Sequence, residues 1–238
     1  MMLAGFGPGV VRVGDYAGVS GRGVRVAVID SGVHPSHPHV GPVDEGASVD
    51  AGGGVGPDAV DRLGHGTAVA AAIRDKAADA EIVPVKVFDR ELRATVDALE
   101  AAIDWAVRAR VHVINLSLGT ANPAHEARLA AAVARAADAG VVLVAAGPDA
   151  GTRWLPGSLP GALPVLLDWE CPRDEVRVSV DGPVTTHRRI VRASGYPRPI
   201  PGVPPERNLK GISFAVANAT GLLCLHLSWG LSPRHLSG

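Results

Sequence analysis

Between residues 23 and 146 the chain repeats one pattern. A short apolar run rich in Val and Ile is followed by an alanine-rich stretch with apolar residues at helical spacing. The runs are residues 23–30 (Gly-Val-Arg-Val-Ala-Val-Ile-Asp), 81–88, 111–118 and 141–146. Runs this short and this uniformly apolar suit strands buried on both faces. Residues 65–78, 95–110 and 123–139 read as the intervening helices. The second carries Val96, Leu99, Ile103, Ala106 and Val107, and Gly140 stops the third. A β-α-β-α-β order of this kind specifies an α/β protein with a parallel sheet. Residues 31–63 read as loop, with three glycines at 52–54.

The C-terminal third is different. Residues 147–164 are rich in Gly and Pro. Residues 163–168 and 176–180 read as short strands, and 185–191 as a strand paired with the latter across an Asp181-Gly182 turn. Five prolines between Tyr196 and Pro205 exclude a helix or a central strand there. Residues 211–227 form a long apolar helix. No internal repeat or linker is evident, so residues 1–238 are expected to form one domain, with 1–20 an N-terminal extension.

Composition narrows the function. Charged residues are 20% of the chain and the net charge is −1, which gives no basic surface for nucleic acid. The N-terminus lacks the charged and apolar regions of a signal peptide, and no run of 18 apolar residues occurs, so neither export nor a membrane span is expected. About 20 residues precede the first strand, too few for a folded pro-domain. Cys171 and Cys224 are expected to be reduced thiols in a cytoplasmic protein.

Three polar residues stand where strands or helices begin and end. Asp30 closes the run Val-Ala-Val-Ile-Asp-Ser-Gly, at the carboxyl end of a strand where open α/β sheets place their sites. His65 opens a helix in Gly-His-Gly-Thr, where flanking glycines allow close approach to the ring. Ser213 opens the long apolar helix in Gly-Ile-Ser-Phe-Ala, where helix N–H groups face a reacting carbonyl. Taken singly, each also fits a plain turn, core or cap residue. Together they follow the order Asp, His, Ser.

The chain resembles the subtilisin family of serine peptidases. The resemblance rests on Val-Ala-Val-Ile-Asp30-Ser-Gly-Val, Ser36-His-Pro, Gly64-His-Gly-Thr, Val113-Ile-Asn-Leu-Ser-Leu-Gly119, Val144-Ala-Ala-Gly147, Leu155-Pro-Gly-Ser-Leu-Pro160 and Gly211-Ile-Ser-Phe-Ala. It implies a three-layer α/β/α fold with a central, mainly parallel sheet, and a serine endopeptidase acting on a peptide or protein. Ser213 would be its nucleophile, His65 its base and Asp30 the group that orients His65. Ser117, Leu118 and Gly119 would bind the substrate as an added strand. Gly147, Pro148 and Trp154 would border the oxyanion and specificity sites.

Several positions depart from that family. Pro148 stands where the resemblance implies an asparagine donating to the oxyanion, and proline has neither a side-chain donor nor an N–H. Losing such a donor costs about 10²–10³ in rate, a magnitude measured on subtilisin itself. Ile212 replaces a threonine. Asn122, Asn208 and Asn218 are candidate substitute donors, and Asp149 another if protonated. Trp154 stands where a small residue is usual, and would leave room only for a small substrate side chain. The family's calcium-binding insertion before Glu81 is missing, so no structural calcium is expected at that place, and no cofactor is expected. The family's last helices are also missing, so a partner protein is a candidate cover for that side.

His34, His37 and His39 lack a suitably spaced Cys or carboxylate and read as a loop rather than a metal site. His112 reads as a satisfied core residue and Arg188-Arg189 as a solvated turn. The intact triad points to a protease dedicated to processing one peptide. The departures point to the alternative, a catalytically impaired homologue that binds peptides or partners. Transpeptidation or esterolysis through the same acyl-enzyme is a third.

Overall fold

A computed structural model describes residues 6–182 and 188–231. Among the described residues ten strands form one sheet, in the order β1 (Gly9–Arg12), β9 (Glu175–Asp181), β10 (Arg188–Ala193), β8 (Ala162–Leu167), β7 (Val142–Ala146), β6 (Val113–Leu116), β2 (Arg25–Asp30), β5 (Glu81–Lys86), β3 (Ala47–Val49) and β4 (Val55–Gly56). Its centre is parallel: β2 (Arg25–Asp30) lies between β5 (Glu81–Lys86) and β6 (Val113–Leu116), followed by β7 (Val142–Ala146) and β8 (Ala162–Leu167). β2, β5, β6 and β7 are apolar runs of the sequence trimmed to the residues that pair, and β8 is the strand expected at 163–168 moved one residue earlier.

Side chains on successive strand residues point to opposite faces, and here both faces are covered. Val26 and Val28 of β2, and Val142 and Val144 of β7, enter one core with α1 (His65–Arg74) and α4 (Ile212–Leu231). Ala27, Ile29, Leu143 and Ala145 enter the other, with α2 (Val96–Arg108) and α3 (Glu126–Asp138). The result is a three-layer α/β/α arrangement. Thr95 caps α2 by accepting from the Ala98 N–H, and a single 3₁₀ turn at Pro123–His125 precedes α3.

α4 explains how a helix with so little polar surface is accommodated. It is apolar and long enough to cross a membrane by composition alone, yet 78% of its apolar window is buried within the protein. Fourteen of its residues are buried, in contact with α1 and with the sheet. A helix apolar all round requires cover on every side.

Three parts of the sequence reading are corrected. The N-terminal extension is woven into the sheet, because β1 (Gly9–Arg12) pairs antiparallel with β9 (Glu175–Asp181) and forms one edge. Within the expected loop 31–63, β3 (Ala47–Val49) and β4 (Val55–Gly56) form a small hairpin at the other edge, and the glycines at 52–54 are its turn. Between β9 and β10 (Arg188–Ala193) the register pairs Asp181 with Arg188, so their connection exceeds a two-residue turn. The expected strand start at Thr185 lies outside the described residues.

Both cysteines are free and buried, and burial pushes the Cys171 thiol up to about 11. His112 accepts the Arg25 N–H at 3.0 Å and donates its own N–H to the Arg25 carbonyl, extending the ladder as a satisfied residue. Leu222 is fully buried at the meeting of α4, α1 and the sheet. Leu222→Ala is expected to lower stability by about 2–5 kcal/mol, measured by denaturant unfolding with an unchanged slope.

Candidate active site

β2 ends at Asp30, whose side chain is completely buried. A buried carboxylate is costly unless hydrogen-bonded. Asp30 Oδ1 accepts the Ser31 N–H at 2.7 Å and lies 2.8 Å from His65 Nδ1, which places the Nδ1 proton between them. Oδ2 has no partner among the described residues. Both hydrogen bonds of the side chain thus fall on the oxygen that meets the imidazole.

The first turn of α1 must approach the end of β2 closely for this contact. Gly66 permits it: a Cβ there would lie 2.1 Å from the Gly32 carbonyl and 3.2 Å from the Asp30 side chain. The two glycines around His65 thus serve different ends: Gly66 allows the close approach of helix and strand, and Gly64 adopts a left-handed φ of 84° in open space at the start of α1.

Asp61, which sequence reasoning missed, locks this junction. It is buried and accepts five hydrogen bonds: from the Ser31 hydroxyl, from the N–H groups of Leu63, Gly64 and Thr67, and from the Thr67 hydroxyl. Ser31 Oγ in turn accepts the Gly66 N–H at 2.9 Å. Burial alone would raise the Asp61 pKa, but these donors outweigh it and hold the carboxyl below its ordinary value. The available signal was an acidic residue four positions before a histidine that opens a helix.

His65 is mostly enclosed. Burial alone would lower its pKa; the Asp30 hydrogen bond and charge, with the charge of Asp61 behind them, outweigh burial and raise it above 6.5. Its ring lies 5.9 Å from that of Phe214, the residue after Ser213.

Ser213 occupies the first turn of α4, where N–H groups have no intrahelical acceptor. Its hydroxyl donates to the Ser117 carbonyl at 3.2 Å, and the Ser117 hydroxyl donates to the Ser213 carbonyl at 3.4 Å. The Ser117 side chain is itself oriented. The Thr220 hydroxyl, one helical stretch further along α4, donates to Asn115 Oδ1 at 3.0 Å, and Asn115 Nδ2 donates to Ser117 Oγ at 2.9 Å. A buried polar chain thus ties the end of β6 to the serine helix.

Beyond Ser117, Thr120 and Leu155 exchange both backbone hydrogen bonds at 2.9 Å, so residues 117–120 run beside the loop that holds Trp154. Trp154 is half-buried and borders a cavity of about 670 Å³ together with Leu118, Gly119, Phe88, Leu99 and His125. Gly147 donates its N–H to the Val165 carbonyl. Pro148 is exposed and precedes a tight turn in which Asp149 and Thr152 exchange backbone bonds.

The three asparagines proposed as substitute donors are engaged elsewhere. Asn218 Nδ2 donates to the Ser194 and Tyr196 carbonyls, Asn208 Nδ2 donates to the Arg198 carbonyl, and Asn122 Nδ2 contacts His125. At the start of α4 the Phe214 and Ala215 N–H groups both donate to the Gly211 carbonyl. His37 and His39 meet edge to face at 5.3 Å, and among the described residues no three His, Cys, Asp or Glu side chains are grouped to hold a metal.

A family model described as the subtilase family matches residues 21–165. The chain belongs to the subtilase family. The matched span contains Asp30 and His65 and ends before Ser213; in the fold the residue after that serine, Phe214, sets its ring 5.9 Å from the His65 ring, while the Ser213 hydroxyl is bonded to the Ser117 carbonyl. The chain is 37% identical over 143 residues to Subtilisin BL of Lederbergia lenta, an alignment covering 56% of this chain and 51% of that protein. It is 36% identical over 143 residues to a thermostable alkaline protease of Halalkalibacterium halodurans, covering 56% and 38%. This subtilase therefore spans about half or less of the length of those curated relatives. Among solved structures, a cold adapted subtilisin-like serine proteinase matches with a TM-score of 0.67 over 92% of this chain and 81% of that one, at 24% identity, which shows the shared fold.

The raised His65 pKa has a kinetic consequence. A general base must be neutral, and the ring becomes neutral only as pH rises through its pKa. The acid limb of kcat/KM for any acyl substrate is expected to have its midpoint above 6.5. Asp61→Asn removes one nearby negative charge and should move that midpoint to lower pH. A midpoint that stays fixed or rises would show that Asp61 does not act on His65.

Proposed function

We propose that this subtilase is a serine endopeptidase that cleaves an extended peptide through an acyl-enzyme at Ser213, and that it serves to process a narrow set of peptides. The observation that carries this reading is the enclosed 2.8 Å contact between His65 Nδ1 and Asp30, with Ser213 in the first turn of α4, whose next residue, Phe214, lies against the His65 ring.

In this mechanism Asp30 holds the Nδ1–H tautomer, which leaves Nε2 free to accept a proton. Ser213 rotates its hydroxyl from the Ser117 carbonyl to the imidazole, loses its proton to Nε2 and attacks the scissile carbonyl. The imidazolium, stabilised by Asp30, returns the proton to the leaving amine. Water then repeats the sequence on the ester. The oxyanion is met by the Ser213 N–H and the positive end of α4. The backbone of Leu118 and Gly119 offers an edge along which an extended peptide adds as a strand.

A second reading, a peptide-binding homologue of low activity, is favoured by Pro148. Its position supplies no donor, and the amides of Asn122, Asn208 and Asn218 are engaged elsewhere. The two readings separate experimentally. Incubation with a mixed peptide library, followed by mass spectrometry, should give cleavage products that are absent with Ser213→Ala. Equal products from both proteins would overturn the proposal. Pro148→Asn should increase amide hydrolysis by up to about 10²-fold. Binding without cleavage in either variant would favour the second reading.

A further inference from the structure

The sequence suggested that Arg188 sits in a solvated turn, and the structure corrects this. Arg188 opens β10, half-buried, and its guanidinium reaches three successive carbonyls of one loop. Nη1 donates to Ser158 at 2.8 Å, and Nη2 donates to Gly157 at 2.5 Å and to Leu159 at 3.1 Å. No ion pair of Arg188 with a carboxylate is found among the described residues, and its Nε is buried without a partner. Burial, with the charge of Arg153, lowers its pKa against the weaker pull of Asp181. A buried cation is costly unless compensated. Here the compensation comes from carbonyl dipoles that converge on one point.

Those carbonyls belong to the loop that borders the cleft. Within it, the Ser158 N–H donates to the Trp154 carbonyl and the Leu159 N–H to the Pro156 carbonyl, both at 2.8 Å. Leu155 is tied to Thr120 by two backbone bonds. Gly157 lies against the end of β7, where a Cβ would fall 1.9 Å from the Ala146 carbonyl. One side of the loop thus supports residues 117–120 and the other supports Ala146, next to Gly147 and Pro148. Three carbonyl oxygens of the loop share this one guanidinium, so removing its charge would leave three partly negative atoms close together without a donor.

We infer that Arg188 is a positioning residue whose guanidinium serves as a built-in cation, clamping the loop of residues 154–159 so that the peptide-binding edge at 117–120 is held ready for substrate. Its effect on catalysis rests on the function proposed above; its effect on the loop does not. Arg189 takes no part in the clamp, since its Nε donates to the Phe6 carbonyl.

The test compares Arg188→Met, which keeps much of the stem and removes the charge, with Arg188→Lys, which keeps the charge but cannot reach three carbonyls in one plane. Amide hydrogen exchange is read at Leu155, Ser158 and Leu159, with Val144 of β7 as the internal reference. The clamp predicts exchange at the three loop amides faster by about tenfold or more in the Met variant, a smaller change in the Lys variant, and no change at Val144. Added ethylguanidinium should restore protection in the Met variant. Exchange like that of the unaltered protein, or an equal increase at Val144, would overturn the inference, and this readout stands whether or not any peptide is cut. If the Met variant does not fold, the loop-confined increase in the Lys variant is the deciding result. Given a cleavable peptide, kcat/KM of the variants should fall mainly through a higher KM, with ethylguanidinium lowering it again. An unchanged KM would remove the link between clamp and cleft.

Discussion

The hydrogen bond between His65 Nδ1 and Asp30 Oδ1 is the contact on which the rest of the site depends. It joins a fully buried carboxylate to a largely enclosed imidazole, so neither partner can be removed without leaving the other desolvated. Its geometry is secured from three directions. The parallel pairing of β2 with β5 and β6 fixes where Asp30 ends. The missing side chain at Gly66 lets α1 reach it. Asp61 then fastens Ser31, the loop before His65 and Thr67 of α1 into one unit. The fold contributes rigidity at the place where a base must keep its tautomer.

Ser213 is brought to this pair from far along the chain, on a helix that belongs to the core. Because α4 packs against α1 and several strands, its first turn has little freedom relative to the strand ends. The polar chain from Thr220 through Asn115 to Ser117 adds direction to that packing, since each donor fixes the orientation of the next. In the proposed mechanism one element supplies both the nucleophile and, through the positive end of its dipole, part of the field that stabilises the oxyanion. Pro148 leaves that field without a side-chain contribution from its own position.

The central strands were legible in the sequence as short apolar runs buried on both faces, α2 and α3 by the period that one buried stripe imposes, and α4 by the length of its apolar stretch. The edges were not. β1 is four residues long and mostly exposed, and β4 is two residues beside a glycine turn, so neither carries an apolar pattern. Asp30, His65 and Ser213 were legible because each interrupts an apolar element at its end. Asp61 was not, because a carboxylate in a loop looks solvated until Ser31 and Thr67 fold onto it. Asn218 could be named as a polar residue in an apolar helix, but only the course of residues 194–196 shows that its amide serves their carbonyls. Arg188 misled for a similar reason: two arginines after a Gly-containing turn suggest solvent, whereas the register of β10 aims the first at a ring of carbonyls.

The central claim is that Asp30, His65 and Ser213 act together to activate the serine. A fluorophosphonate probe followed by peptide mass spectrometry tests it without knowledge of the substrate. The account predicts one adduct, on Ser213, formed by the unaltered protein and lost in His65→Ala. An adduct formed equally well without His65, or no adduct on Ser213 in the folded protein, would contradict it.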